Sequence, residues 1–178
     1  MSLTSAQDLA LVLLRGRRSR RSWIAGSAVL HPFLARHPGD IDIHHPDART
    51  VQAAIRADLP ALLEHGFTID GSGWQEAERW ARFRHDTGSV ILNWVAIEHP
   101  DRARPRRHAD FGYAVPIEDA VAEKLGTAQA SGRRKDIEDL RAICRAGISL
   151  PADLSRRLES FVRHLPPPSR AGPGRGQP

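Results

Sequence analysis

The sequence predicts an α+β domain. Three observations carry that expectation: an early strand–helix–strand unit, a three-strand meander after it, and a closing run of helices. The chain has 178 residues, 40% apolar and 26% charged, a globular composition long enough for one domain with a substantial core.

Ser5 to Leu14 reads as a short helix with Leu9, Leu11, Val12, Leu13 and Leu14 crowded near its end. Arg15 to Arg21, RGRRSRR, reads as a basic loop, either a solvated cluster or an RNA contact. Ser22 to Ala25 reads as a strand entering Gly26-Ser27, and Ala28 to Arg36 as a helix that tolerates Pro32 in its first turns. After the turn His37-Pro38-Gly39, Asp40 to His44 alternates polar and apolar residues as a strand does. Asp47 is a fair N-cap for a helix running toward Gly66, broken or kinked by Pro60.

Phe67 to Asp70, Ala77 to His85 and Ser89 to Glu98 read as strands, separated by Gly71-Ser72-Gly73 and by an Asp86-Thr87-Gly88 turn. His99 to Phe111 reads as an arginine-rich loop. Helices are expected from Pro116 to near Ala130, from Arg133 to Ala146 closed by Gly147, and after Pro151. One domain is therefore expected over residues 1–165. From Pro166 to Pro178 proline, glycine, serine and arginine dominate, a composition that predicts a disordered tail.

The single cysteine, Cys144, excludes an internal disulfide and a cysteine-based zinc site. No stretch approaches the ~20 apolar residues that span a bilayer. The first residues put their apolar run before their charges, the reverse of a secretory signal. These features predict a soluble, cytoplasmic protein without a membrane partner. Twenty-six basic against 21 acidic side chains give a net charge of +5, which favours polyanionic partners. Nearly all that charge is arginine. Lys124 and Lys135 are the only lysines, so their point-like ammonium groups stand out as candidate functional cations.

The stretch with the most chemistry is Ile24-Ala-Gly-Ser-Ala-Val-Leu30 followed by Gly39-Asp-Ile-Asp-Ile43. In a strand Asp40 and Asp42 project from one face, about 7 Å apart along it, while Ile41 and Ile43 project from the other. Such a carboxylate pair can hold hard divalent cations, Mg²⁺ or Mn²⁺. Gly26 lets backbone approach a phosphate, and Ser27 adds a hydroxyl and an N–H. A nucleoside triphosphate requires both halves of this arrangement.

The order strand, Gly-Ser, helix, turn, Asp-x-Asp strand resembles the signature of polymerase-β-like nucleotidyltransferases. Pro116-Ile-Glu-Asp-Ala-Val-Ala-Glu-Lys-Leu125 and Arg134-Lys-Asp-Ile-Glu-Asp-Leu140 resemble the C-terminal half of the AbiEii/AbiGii family, which includes MenT-type toxins. The resemblance implies a small mixed sheet with flanking helices and C-terminal helices. It further implies Mg²⁺-dependent transfer of a nucleoside monophosphate to an acceptor hydroxyl. RNA, tRNA or protein are the implied acceptors, and a cognate antitoxin is a candidate partner in a toxin–antitoxin or phage-defence setting. Arg36 matches an arginine often found four residues before the first Asp.

In the helix after Pro116, Ile117, Val121 and Ala128 share a face and Lys124 borders that stripe, which implies an anionic partner for its head. In the next helix Ile137, Leu140, Ile143 and Cys144 define the buried face, Asp136 flanks it inward, and Asp139 and Lys135 turn further out. The expected catalytic residues are therefore Asp40, Asp42, Lys124 and Asp136, and the expected nucleotide-binding residues are Gly26, Ser27, Arg36 and Lys124. The family's third carboxylate usually lies on a later strand, where Val90 to Val95 offers only Asn93. An amide can ligate a metal but cannot accept a proton. Glu98 or Asp136 is then the expected acid, and the alternative is a catalytically impaired nucleotide- or RNA-binding module. Two lesser expectations remain: His44 touches phosphate or metal or simply ends a solvated strand, and Trp74, Trp80 and Trp94 stack on a base or fill the core.

Overall fold

The computed structural model describes residues 2–75 and 77–166. The expected tail lies outside the described residues except for Pro166. Helices are α1 (Ser5–Leu14), α2 (Gly26–Leu30), α3 (Ala48–Leu63), α4 (Ile117–Ser131), α5 (Arg134–Ala146) and α6 (Ala152–Arg163). Strands are β1 (Trp23–Ala25), β2 (Ile41–His45), β3 (Thr68–Gln75), β4 (Glu78–His85), β5 (Gly88–Ala96), β6 (Arg106–His108) and β7 (Gly112–Ala114). They form one mixed sheet in the order β3-β4-β5-β2-β1-β7-β6. The α+β expectation holds.

Local chemistry sets the ends of these elements. Thr4 and Gln7 form a reciprocal capping box at α1, and the Asp47 carboxylate accepts the Thr50 N–H at the start of α3. Gly132 and Gly147 end α4 and α5 in left-handed conformation. Pro32 cuts α2 short: the helix stops at Leu30 and continues as a 3₁₀ turn over His31–Phe33, not as far as Arg36. Pro60 instead lies inside α3, which runs on to Leu63.

Two expectations about strands change. Gly71-Ser72-Gly73 is not a turn but part of β3, because the Trp80 ring lies against those positions. A Cβ at Gly73 would come within 2.7 Å of its Nε1. The arginine-rich segment carries the β6–β7 hairpin, and β7 joins β1 in parallel through Ile24 and Ala114.

Helices α1 and α3 cover one face of the sheet, where Ile41, Ile43, Leu92, Trp94 and Phe83 are buried. Helix α2 joins β1 to β2 on the other face, α4 packs on α2, and α5 and α6 pack outward from α4. The supposed basic loop also serves the core. Arg18 is buried and pairs with Asp58 at 2.5 Å, while Trp94 Nε1 donates to the second Asp58 oxygen at 2.9 Å. Arg21 reaches Asp47 and Thr50. Ile117, expected in the buried stripe, is 37% exposed; Val121 and Ala128 are buried as expected, and Ala120, Lys124 and Leu125 complete the stripe. Among the described residues no helix is long and apolar enough to cross a membrane.

Candidate active site

β1 ends where β2 begins its antiparallel pairing, so Ala25 lies opposite Asp42, and Asp42 lies opposite Asn93 of the parallel neighbour β5. Asp40 sits just before β2. The Asn93 amide nitrogen donates to Asp40 Oδ2 at 3.3 Å and to Asp42 Oδ1 at 3.0 Å. The same-face pair is therefore formed, and a neutral amide lies between its two carboxylates.

Gly26 ties this pair to the upstream motif. Its φ is +63°, and a Cβ there would lie 3.3 Å from Asp42 Cγ and overlap the Oδ2 atom. Any other residue would carry both a backbone penalty and a collision with the carboxylate. The cavity above these residues measures about 340 Å³. Asp40, Asp42 and Asn93 line it from the sheet, Gly26 and Ser27 from α2, and Lys124, Asp136 and the exposed Lys135 from the C-terminal helices.

Burial pushes the Asp42 carboxyl up to about 6, and the neighbouring Asp40 charge adds to the rise. The Asn93 hydrogen bond opposes it, Glu78 reinforces it, and Lys124 lowers it weakly. A divalent cation fits this donor set: two hard carboxylates converge where negative charge is under-compensated. Among the described residues no group of three or more His, Cys, Asp or Glu forms a ready-made cage. Two carboxylates completed by substrate phosphates are the usual arrangement for Mg²⁺.

Across the cavity the Lys124 side chain is 8% exposed. Its ammonium donates to Ser27 Oγ at 3.1 Å and Asp136 Oδ1 at 2.9 Å, and lies 3.0 Å from Asp139 Oδ2. Lys124 thus connects α4 to α2 and α5. Arg133 approaches the other Asp136 oxygen at 2.9 Å. Burial alone would raise Asp136, but Lys124, Arg133 and Lys135 hold it below the usual carboxylate range. A carboxylate so held is a poor proton acceptor at neutral pH.

Two placements differ from the sequence reading. Asp139, expected to turn outward, is 2% exposed and faces Lys124. Asp136 and Asp139 are three residues apart, 60° on the helix wheel, so both reach the same ammonium. Arg36, expected to touch the nucleotide, instead grips Asp139 with two of its three guanidinium nitrogens, Nε at 2.9 Å and Nη2 at 2.6 Å. It does not line the cavity and acts on Lys124 through Asp139.

Glu98 is exposed and lies outside the lining, whereas Glu78, Glu123 and Thr127 belong to it. Glu123 and Thr127 flank Lys124 on α4. Glu78 was invisible in the sequence because only the β4–β5 register brings it there. Trp80 lies opposite Asn93 and Glu78 opposite Val95, so Glu78 shares the Asn93 face. His44 also projects from the Asp42 face. Burial lowers its pKa, against the pull of Glu123, so its ring tends to the neutral form. Trp94 belongs to the core, and Trp74 is 74% exposed beneath the Arg79 guanidinium.

No protein-family model matches the sequence. No curated protein matches it either. Among solved structures the fold is similar to that of a candidate nucleotidyltransferase from H. pylori, with a TM-score of 0.62 at 14% identity. The match covers 90% of this chain and 77% of that one. A candidate nucleotidyltransferase from Thermotoga maritima is a more distant match, with a TM-score of 0.41 at 11% identity over 71% of this chain and 86% of that one. At 14% identity the H. pylori likeness shows a shared α+β fold.

Proposed function

We propose that this chain transfers a nucleoside monophosphate from a nucleoside triphosphate to an acceptor hydroxyl. One observation carries the reading. The Asp40–Asp42 pair, a glycine whose missing side chain leaves room for Asp42, and the Lys124–Ser27 contact all meet at one cavity. A fold shared with a candidate nucleotidyltransferase supports it.

In this mechanism Asp40 and Asp42 would hold Mg²⁺ or Mn²⁺, which would supply positive charge to offset the phosphate oxygens in the transition state. Gly26 leaves the floor of the cavity open, and Ser27 offers its hydroxyl to the β- and γ-phosphates. Lys124 neutralises charge as pyrophosphate leaves. Asp136 and Asp139 fix the depth and direction of the ammonium, and Arg36 steadies Asp139.

The acceptor follows from the resemblance of the α4 and α5 segments to the AbiEii/AbiGii family. RNA, including tRNA, or a protein hydroxyl is the proposed class, with an antitoxin as a proposed partner of a toxin or defence component. The net charge of +5 agrees with a polyanionic acceptor. A second reading, a catalytically impaired nucleotide- or RNA-binding module, has Asn93 in its favour, since its amide supplies no base.

Label transfer separates the two readings. Wild-type protein with Mg²⁺, α-phosphate-labelled triphosphates and a pool of total RNA and soluble protein should yield labelled acceptor. The Asp40→Ala/Asp42→Ala variant should yield none. Triphosphate binding without any labelled acceptor would favour the impaired module.

A further inference from the structure

We propose that Glu78 accepts the proton of the attacking hydroxyl, an assignment that rests on the nucleotidyl-transfer reading. The groups that would hold the departing pyrophosphate, Ser27 and Lys124, lie on the α2–α4 side of Asp42. In-line displacement at phosphorus sets the attacking oxygen opposite the leaving oxygen. The acceptor hydroxyl therefore arrives over β5 and β4.

Asn93 is the nearest polar group on that side, and its amide cannot take a proton. One strand further out Glu78 points to the same face and lines the same cavity. It is also among the charges that act on Asp42.

The other acids are otherwise engaged. Asp40 and Asp42 are the metal pair, and Asp136 is tied to Lys124 and Arg133. Asp139 is tied to Lys124 and Arg36. Glu123 stands on α4, where its charge acts on His44. Glu98 does not line the cavity.

The step balances. The acceptor oxygen bonds to the α-phosphorus while the bond from that phosphorus to the bridging oxygen breaks. The electron pair of that bond leaves with pyrophosphate. The hydroxyl proton passes to a Glu78 carboxylate oxygen and from there to solvent.

The test compares wild type, Glu78→Gln, Glu78→Gln/Asn93→Asp and Asp40→Ala/Asp42→Ala. Each is measured by calorimetry for Mg²⁺–triphosphate binding and by single-turnover label transfer to pooled RNA and soluble protein. Glu78→Gln should bind within about twofold of wild type and transfer about 10²–10⁴-fold more slowly, the span of a lost general base. Asn93→Asp in that background returns a carboxylate to the adjacent strand and should recover part of the rate.

The assignment is overturned if Glu78→Gln transfers within about threefold of wild type. It is overturned equally if Glu78→Gln loses affinity as the double-aspartate variant does. Wild type that binds triphosphate and transfers nothing, or unimpaired transfer by Asp40→Ala/Asp42→Ala, would instead overturn the underlying nucleotidyl-transfer reading, and the Glu78 assignment with it.

Discussion

Asp42 and His45 stand three positions apart on β2, project to opposite faces, and titrate in opposite senses. Asp42 is raised from 3.8 to about 6 by burial and by Asp40. In the metal-free protein its contribution is therefore fully present below about pH 4 and is lost as pH rises through 6. His45 is lowered from 6.5 to about 4, first by burial and then by the Arg18 charge. Its contribution is fully present above 6.5 and is lost as pH falls through 4. Each shift corresponds to an upper bound of about 3 kcal/mol, and solvent screening will reduce it. The two slopes oppose each other between pH 4.5 and 6.5, and His44, also lowered by burial, adds to the slope of His45. Asp42→Asn should gain on wild type as pH rises across that window, and His45→Gln should gain as pH falls. Melting curves of the three proteins at several pH values check both signs, and parallel curves would contradict the assignment. Lys124 carries a second lesson at this scale. Its ammonium compensates two buried carboxylates, so it serves the fold as well as the site, a dual role that its position beside an apolar stripe did not disclose.

At the scale of elements, the β1–α2–β2 unit builds the Asp40–Asp42 carboxylate pair, and Gly26 is its tightest point. Gly26→Ala places a side chain at φ +63° and against the Asp42 carboxylate. The backbone term costs about 1–2 kcal/mol, which a domain of this size can absorb, but Asp42 must move. The expected outcome is a protein that still folds by circular dichroism, melts several degrees lower and loses Mg²⁺-dependent triphosphate binding. Retained binding would show that the close approach is not required. This unit was legible in the sequence because its parts are local: alternation writes β2, Asp47 writes the start of α3, and Gly-Ser-to-Asp spacing writes the site. The β6–β7 hairpin was not legible. Its strands are three residues each, too short for an alternating pattern, and β7 is held by β1 from far along the chain. The extension of β3 was hidden for another reason. Gly71 and Gly73 carry turn chemistry in sequence, but the Trp80 ring, set by tertiary packing, makes use of their missing side chains.

For the whole molecule, the sheet order explains which site residues could be read and which could not. Asp40, Asp42, Gly26 and Ser27 lie within one short stretch, and Lys124 and Asp136 stand out by their type and periodicity. Glu78 enters only through antiparallel register with β5, and Arg36 reaches the site only by way of Asp139, 103 residues later. Such contacts depend on topology, and composition and spacing hold no record of them. The fold joins an acidic pair on the sheet to a lysine on the C-terminal helices, so both halves of the chain line one cavity. On the proposed reading this shared cavity binds a triphosphate through a divalent metal. Calorimetry with ATP, CTP, GTP and UTP, with and without Mg²⁺, measures it most directly. Wild type should bind at least one triphosphate only when Mg²⁺ is present, and Asp40→Ala/Asp42→Ala should lose that binding while keeping its fold. Binding of equal affinity in the double variant, or binding indifferent to Mg²⁺, would contradict the account.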